Sequence, residues 1–174
     1  MDSKDGFVGR VSRRSTAWWV NTNREREVGM SPRERSRFDE LVDEVVEALP
    51  SQMRDLLDEK PVFVEDRPSN DVLAEMGLDP SEADEICGLH TGPMATERSV
   101  DAHPEVVEAI HLYREGIVAC SGGWSPWRES DEDGGMIEGG GVDLIREEIR
   151  ITLLHELGHH FGLDEDDLEG LGFA

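Results

Sequence analysis

Apolar residues recur every three to four positions in three stretches of this chain, and each such stripe predicts an amphipathic helix. Phe38, Leu41, Val42, Val45, Val46 and Leu49 form the first, opened by Ser31 as N-cap and Pro32 at the first helical position. Pro50-Ser51 breaks it, and a short helix carrying Met53, Leu56 and Leu57 follows. The third stripe is Ile145, Ile149, Leu153, Leu157 and Phe161, with Ile151 and Leu154 alongside. Asp143 is its expected N-cap, and Gly162 is placed to end it in the left-handed conformation. Between these helices, Val62-Phe63-Val64 and Ala109 to Tyr113 read as strands. Asp71 to Met76 reads as a helical turn or a loop. Gly77 to Gly92 reads mostly as turns, anchored by Leu78, Ile86 and Leu89. These stripes are core rather than ligand-binding surfaces.

Two segments depart from this pattern. Residues 1–30 are rich in Ser, Thr, Asn and Arg (Arg10, Arg13, Arg14, Arg24, Arg26), which predicts a basic, disordered N-terminal tail ahead of one domain over 31–174. Trp18-Trp19 is its one sticky spot, able to dock on the body or on a partner. Residues 121–141 are Gly-rich and acidic, with Trp124 and Trp127. So long a loop is uncommon in a compact domain; it reads as a structureless insertion, or alternatively as a lid over a cleft.

Composition narrows the function classes. In 174 residues the formal net charge is −23 and the pI about 4.4. A surface that negative repels phosphate backbones, so no nucleic-acid partner is expected. No apolar run approaches the length of a membrane span, and the N-terminus has no signal-like apolar region. A cytoplasmic protein with no membrane partner is the expectation. Cys87 and Cys120 are the two cysteines; free thiols are the simpler reading, and a disulfide between them is the other.

The candidate chemistry lies at the end of the third helix, in His155-Glu156-Leu157-Gly158-His159. Residues four apart on a helix project from one face, so His155 and His159 can grip one metal ion between them. Glu156 stands about 100° around the helix, where a base can take a proton from a metal-activated water. A catalytic zinc wants three protein ligands and one open position. Gly162, seven residues after His155, can turn the chain back, and Glu165, ten after it, is the expected third ligand, with Asp164 as the alternative. The chain ends at Ala174, which leaves no room for a ligand on a distant downstream helix. No methionine follows the site, so a Met-turn is absent. Two imidazoles and a carboxylate suit zinc better than manganese or nickel. The competing reading takes the histidines as partly buried helix residues and the acidic run as a solvated face; the motif on an independently helical pattern weighs against it. His90, His103 and His111 are lone histidines, ordinarily core or surface residues. His160 adjoins the site but points elsewhere. The acidic run lacks the spacing of a calcium loop.

The segment Arg150 to Leu168 resembles that of a small bacterial family of possible zinc metallopeptidases with a minimal zincin-like fold. The similarity continues upstream, in order, at Leu56-Leu57, Val62-Phe63-Val64-Glu65, Gly88-Leu89-His90-Thr91-Gly92 and Ile110-His111-Leu112-Tyr113-Arg114, covering roughly Ser36 to Ala174. The chain differs from that family in its basic N-terminal segment and its longer Gly-rich loop. The resemblance implies an α+β fold, a small sheet packed on an active-site helix with further helices. In zincins an edge strand lies above that helix and pairs with substrate; Ala109 to Tyr113 is the candidate, unless it is an ordinary interior strand. The implied function is a zinc-dependent metallopeptidase acting on a peptide or protein, with Zn2+ held by His155, His159 and Glu165 and with Glu156 as general base to a metal-activated water. The alternatives are a metal-binding interaction module with little turnover, or another metal-dependent hydrolase. Among the latter, RNA-processing enzymes lack a glutamate after the first histidine, so Glu156 and the acidic surface argue against an RNA substrate.

Overall fold

A computed structural model of the chain describes residues 19–21, 29–58, 60–92, 108–130, 134–163 and 165–171. The first helix, α1 (Pro32–Ala48), begins as its sequence requires. The Ser31 hydroxyl accepts from the Glu34 amide, and the Glu34 carboxylate accepts from the Ser31 amide 2.8 Å away. This capping box satisfies two donors that the first turn would otherwise leave open. Phe38, Leu41, Val42, Val45 and Val46 form the buried stripe of α1. After α2 (Ser51–Asp58) comes a strand at Val62–Glu65, and Ser69 then caps α3 (Asn70–Met76), resolving that segment as a helix.

Four strands make the main sheet: β1 (Trp19–Asn21), β2 (Val62–Glu65), β3 (Gly88–Thr91) and β4 (Ala109–Tyr113), in the order β1-β2-β4-β3. β1, β2 and β4 run parallel, and β3 runs antiparallel to β4. Helix α4 (Arg114–Cys120) follows β4 directly, and the long helix α5 (Val142–His160) returns across the sheet. Val62, Val64, Ile110 and Leu112 face α1 and α5, meeting Ile145, Ile149, Leu153 and Leu157 in one core. Burying such side chains stabilises the fold by roughly 1.5–3 kcal/mol each before the cost of ordering them. The mixed α+β architecture, a small sheet on one long helix, is the one expected.

A buried ionic cluster locks α1 to the head of α4. Arg114 is fully buried and donates to Asp39 at 2.7 Å and to Asp66 at 3.1 Å. Arg35 also binds Asp66, at 2.6 Å. A planar guanidinium supports such two-sided pairing where an ammonium would not.

Expectations for residues 88–91, Asp143, residues 121–141 and residues 19–21 are corrected, and the open choice between edge and interior strand for residues 109–113 is decided. Residues 88–91, read as turn, form β3, because their carbonyls and amides find partners along Ala109–Leu112. Ala109 to Tyr113 is therefore an interior strand, and among the described residues β3 is the edge beside α5. Asp143 is not the N-cap of α5: Gly141 is, with no side-chain cap, and Asp143 sits in the first turn. Within residues 121–141 the chain folds into a hairpin, β5 (Trp127–Ser130) paired with β6 (Met136–Gly139), rather than a structureless insertion. Arg128 pairs with Glu138 across it, at 2.7 Å. In the expected tail, residues 1–30, Trp19–Asn21 pairs with β2 through its backbone; residues 1–18 and 22–28, and the expectation for them, lie outside the described residues.

Candidate metal and catalytic centre

The centre is built by the way α5 ends. Gly162 takes φ +80°, which a side-chain-bearing residue adopts only at a cost, and the helix closes in a Schellman turn. The Gly162 amide donates to the His159 carbonyl at 2.9 Å, and the Leu163 amide donates to the Gly158 carbonyl at 3.1 Å. This turn swings the Leu163 carbonyl to 3.2 Å from His159 Nδ1. A proton held on Nδ1 by that carbonyl leaves the lone pair on His159 Nε2, the atom a metal ion would take.

That lone pair faces His155. The two Nε2 atoms are 2.9 Å apart, with ring planes nearly perpendicular and centroids 4.5 Å apart. Two ligands on a tetrahedral zinc with bonds of 2.0–2.1 Å keep about 3.3 Å between their nitrogens. The pair is thus within a few tenths of an ångström of a metal-holding arrangement, and its donor chemistry fits zinc. Of the expected third ligands, Asp164 lies outside the described residues. For Glu165 the backbone alone is described, opening α6 (Glu165–Leu171) two residues beyond Leu163.

Glu156 lies on the flank of α5 and is 7% exposed. Its side chain runs under Gly88, the first residue of β3. A Cβ added at Gly88 would sit 3.0 Å from Glu156 Cγ and Oε1 and 2.6 Å from Thr152 Cγ2. Glycine is needed there so that the edge strand can lie directly on the helix. Because side chains alternate along a strand, His90 also faces α5. Its ring stands 5.4 Å from that of His160, which is buried and 3.8 Å from Glu108. Burial, and then the neighbouring His160, pulls the His90 pKa down to about 4, so the ring is neutral at physiological pH. His160 indeed points away from the His155–His159 pair, toward the sheet.

His111 does not line this centre. It projects from the opposite face of β4, where Nδ1 meets Glu65 at 3.0 Å and the ring stacks on Phe63. Gly88, His90 and Thr152 were not singled out in the sequence as parts of a site. The signal available was the alternation in Gly88-Leu89-His90-Thr91, which marks a strand with a small and a polar residue on one face.

A family comparison decides the identity. The family described as zincin-like metallopeptidase matches residues 57–130 and 136–173, well over half of the chain. The chain belongs to the zincin-like metallopeptidases. The matched region takes in β2, β3, β4, α4 and α5, so the family covers the histidine pair, Glu156 and the edge strand above them. Curated proteins offered no significant match. No helix among the described residues of this zincin-like chain is long and apolar enough to cross a membrane.

Proposed function

We propose that this zincin-like chain is a zinc-dependent peptidase in which His155, His159 and Glu165 hold the ion and Glu156 is the general base. The observation that carries the reading is the convergence of His155 Nε2 and His159 Nε2 to 2.9 Å beside a nearly buried Glu156. Zinc, when bound, supplies Lewis-acid polarisation of the scissile carbonyl and acidification of a water. The chain's own residues do the rest. Glu156 accepts the proton of the attacking water and returns it to the leaving amine. The packing of β3 over Glu156 restricts its rotamers and shields it from bulk water, which strengthens its electrostatic influence on the reacting atoms. The Leu163 carbonyl holds His159 in the ligating tautomer. The outer side of β3, the last strand of the sheet among the described residues, offers backbone groups to an extended peptide, which would lie along the helix carrying the base.

The test is digestion of casein and a peptide library by the full chain, with and without a chelator, beside a Glu156→Gln variant. Chelation should stop cleavage and added zinc should restore it. Glu156→Gln should retain zinc while losing about 10²–10⁴-fold in rate. Undiminished cleavage by that variant would remove Glu156 from the role of base. Stoichiometric zinc without any cleavage would favour a metal-binding interaction module.

A further inference from the structure

Behind the metal centre, on the far side of Gly88, lie the chain's two cysteines. Cys87 immediately precedes β3, and Cys120 is the last residue of α4. Their Sγ atoms are 2.9 Å apart, although 33 positions separate them in sequence. Both are free thiols in this structure. We propose that Cys87 and Cys120 are a redox modification site that closes to an intramolecular disulfide, clasping the edge strand to α4.

Distance, anchoring and access each support this. A disulfide needs its sulfurs about 2.05 Å apart, so closure requires a movement of about 0.9 Å. The backbone at Cys87 is already tied down, since its carbonyl accepts from the Tyr113 amide at 2.9 Å. Cys120 lies exposed on the wall of a cavity of about 330 Å³, with Trp127, Glu148 and Ile151 among its other lining residues. A small thiol reagent can therefore reach Cys120 from solvent. Cys87 is half-buried, and burial disfavours its thiolate, which makes Cys120 the first to react. A zinc ion is the competing occupant, because a Glu148 carboxylate oxygen and both sulfurs lie within 4.8 Å of one another. Two thiolates on one zinc, with bonds of about 2.3 Å, would stand about 3.7 Å apart. The carboxylate is better used as a base here.

The oxidant is a low-molecular-weight disulfide such as oxidised glutathione. The Cys120 thiolate attacks one of its sulfurs, its S–S bond breaks, and one glutathione leaves as a thiolate that takes up a proton. The Cys87 thiol then loses its proton toward Glu148, and its sulfur attacks Cys120 Sγ, expelling the second glutathione thiolate. In sum, two protein thiols and one small disulfide become one protein disulfide and two small thiols.

The experiment needs no peptidase activity, so its outcome is separate from that of the proposed function. The reduced full chain is incubated with oxidised glutathione, then its thiols are counted and its intact mass measured. Both thiols should disappear, the mass should fall by two hydrogens, and no glutathione adduct should accumulate. The thermal midpoint should be about 5–10 °C higher than that of the reduced protein. Cys87→Ser should instead trap a glutathione adduct on Cys120, and Cys120→Ser should react slowly if at all. A stable adduct on the wild type, two thiols surviving the treatment, or disulfide-linked dimers would overturn the proposal. So would stoichiometric cobalt binding with a thiolate charge-transfer band that survives in a His155→Ala/His159→Ala background.

Discussion

Replacing Gly88 by alanine tests whether β3 positions Glu156, the proposed general base. Gly88 pairs with Leu112 on β4 and is not in a left-handed conformation, so alanine brings no backbone strain there. The whole effect is the added methyl. It would stand 2.6 Å from Thr152 Cγ2 and 3.0 Å from Glu156 Cγ, against about 3.5–4.0 Å for ordinary carbon contacts. Something must yield by up to about 1 Å, either β3 or the Glu156 side chain. Overpacking of this kind costs about 1–3 kcal/mol, or a midpoint lowered by roughly 2–12 °C in a domain of this size. Displacing a catalytic group by about 1 Å can cost up to 10²-fold in kcat/KM. The assay is thermal unfolding together with kcat/KM on a peptide substrate. Adding Thr152→Ser removes the offending Cγ2 but keeps the hydroxyl that bonds Glu148. The double variant should therefore regain most of the stability while staying impaired in turnover, since the contact with Glu156 remains. Wild-type stability and wild-type turnover in Gly88→Ala would refute the close approach. Full recovery of turnover in the double variant would show that the crowding of Glu156 is not what slows the single one.

Glu165→Ala should weaken zinc binding by more than the roughly 100-fold that an outer-shell loss costs, and more than Asp164→Ala does; metal content after dialysis reads the order, and the reverse order transfers the third ligand to Asp164. Arg114→Met should destabilise the fold by roughly 3–5 kcal/mol in urea unfolding, because Asp39 and Asp66 lose the buried guanidinium they share; a loss below 1 kcal/mol would mean that water takes its place. His90 has a folded pKa of about 4 against about 6.5 unfolded, so the unfolded chain binds the extra proton between those values. The stabilising effect of keeping His90 neutral is whole above pH 6.5 and declines as pH falls toward 4. His90→Gln should flatten the dependence of the urea midpoint over that window, and unchanged slopes would contradict the burial of His90.

Helices α1, α2 and α5 and the spacing of the histidine pair were legible in the chain because their information is local, whereas α4 and α6 were not read from it. A stripe every three to four residues, Ser31-Pro32 at a helix start and Gly162 at a helix end act within a few residues of themselves. His155, Glu156 and His159 share one helix, so their spacing alone implies their geometry. What tertiary structure decided was everything that depends on which segment lies beside which. Residues 88–91 hold a histidine and a threonine between Gly88 and Gly92, and nothing local distinguishes them from a turn. They become a strand because β4 supplies hydrogen-bond partners and α5 supplies a surface that only glycine can approach. Ala109 to Tyr113 carries strong strand propensity, but propensity says nothing of sheet order, and edge or interior is settled by the neighbours that cover it. The same holds for Cys87 and Cys120: 33 positions apart in sequence, their sulfurs meet because β3 and the end of α4 pack against one helix. Periodicity reports which way a side chain faces along its own element; only the packed fold reports what it faces.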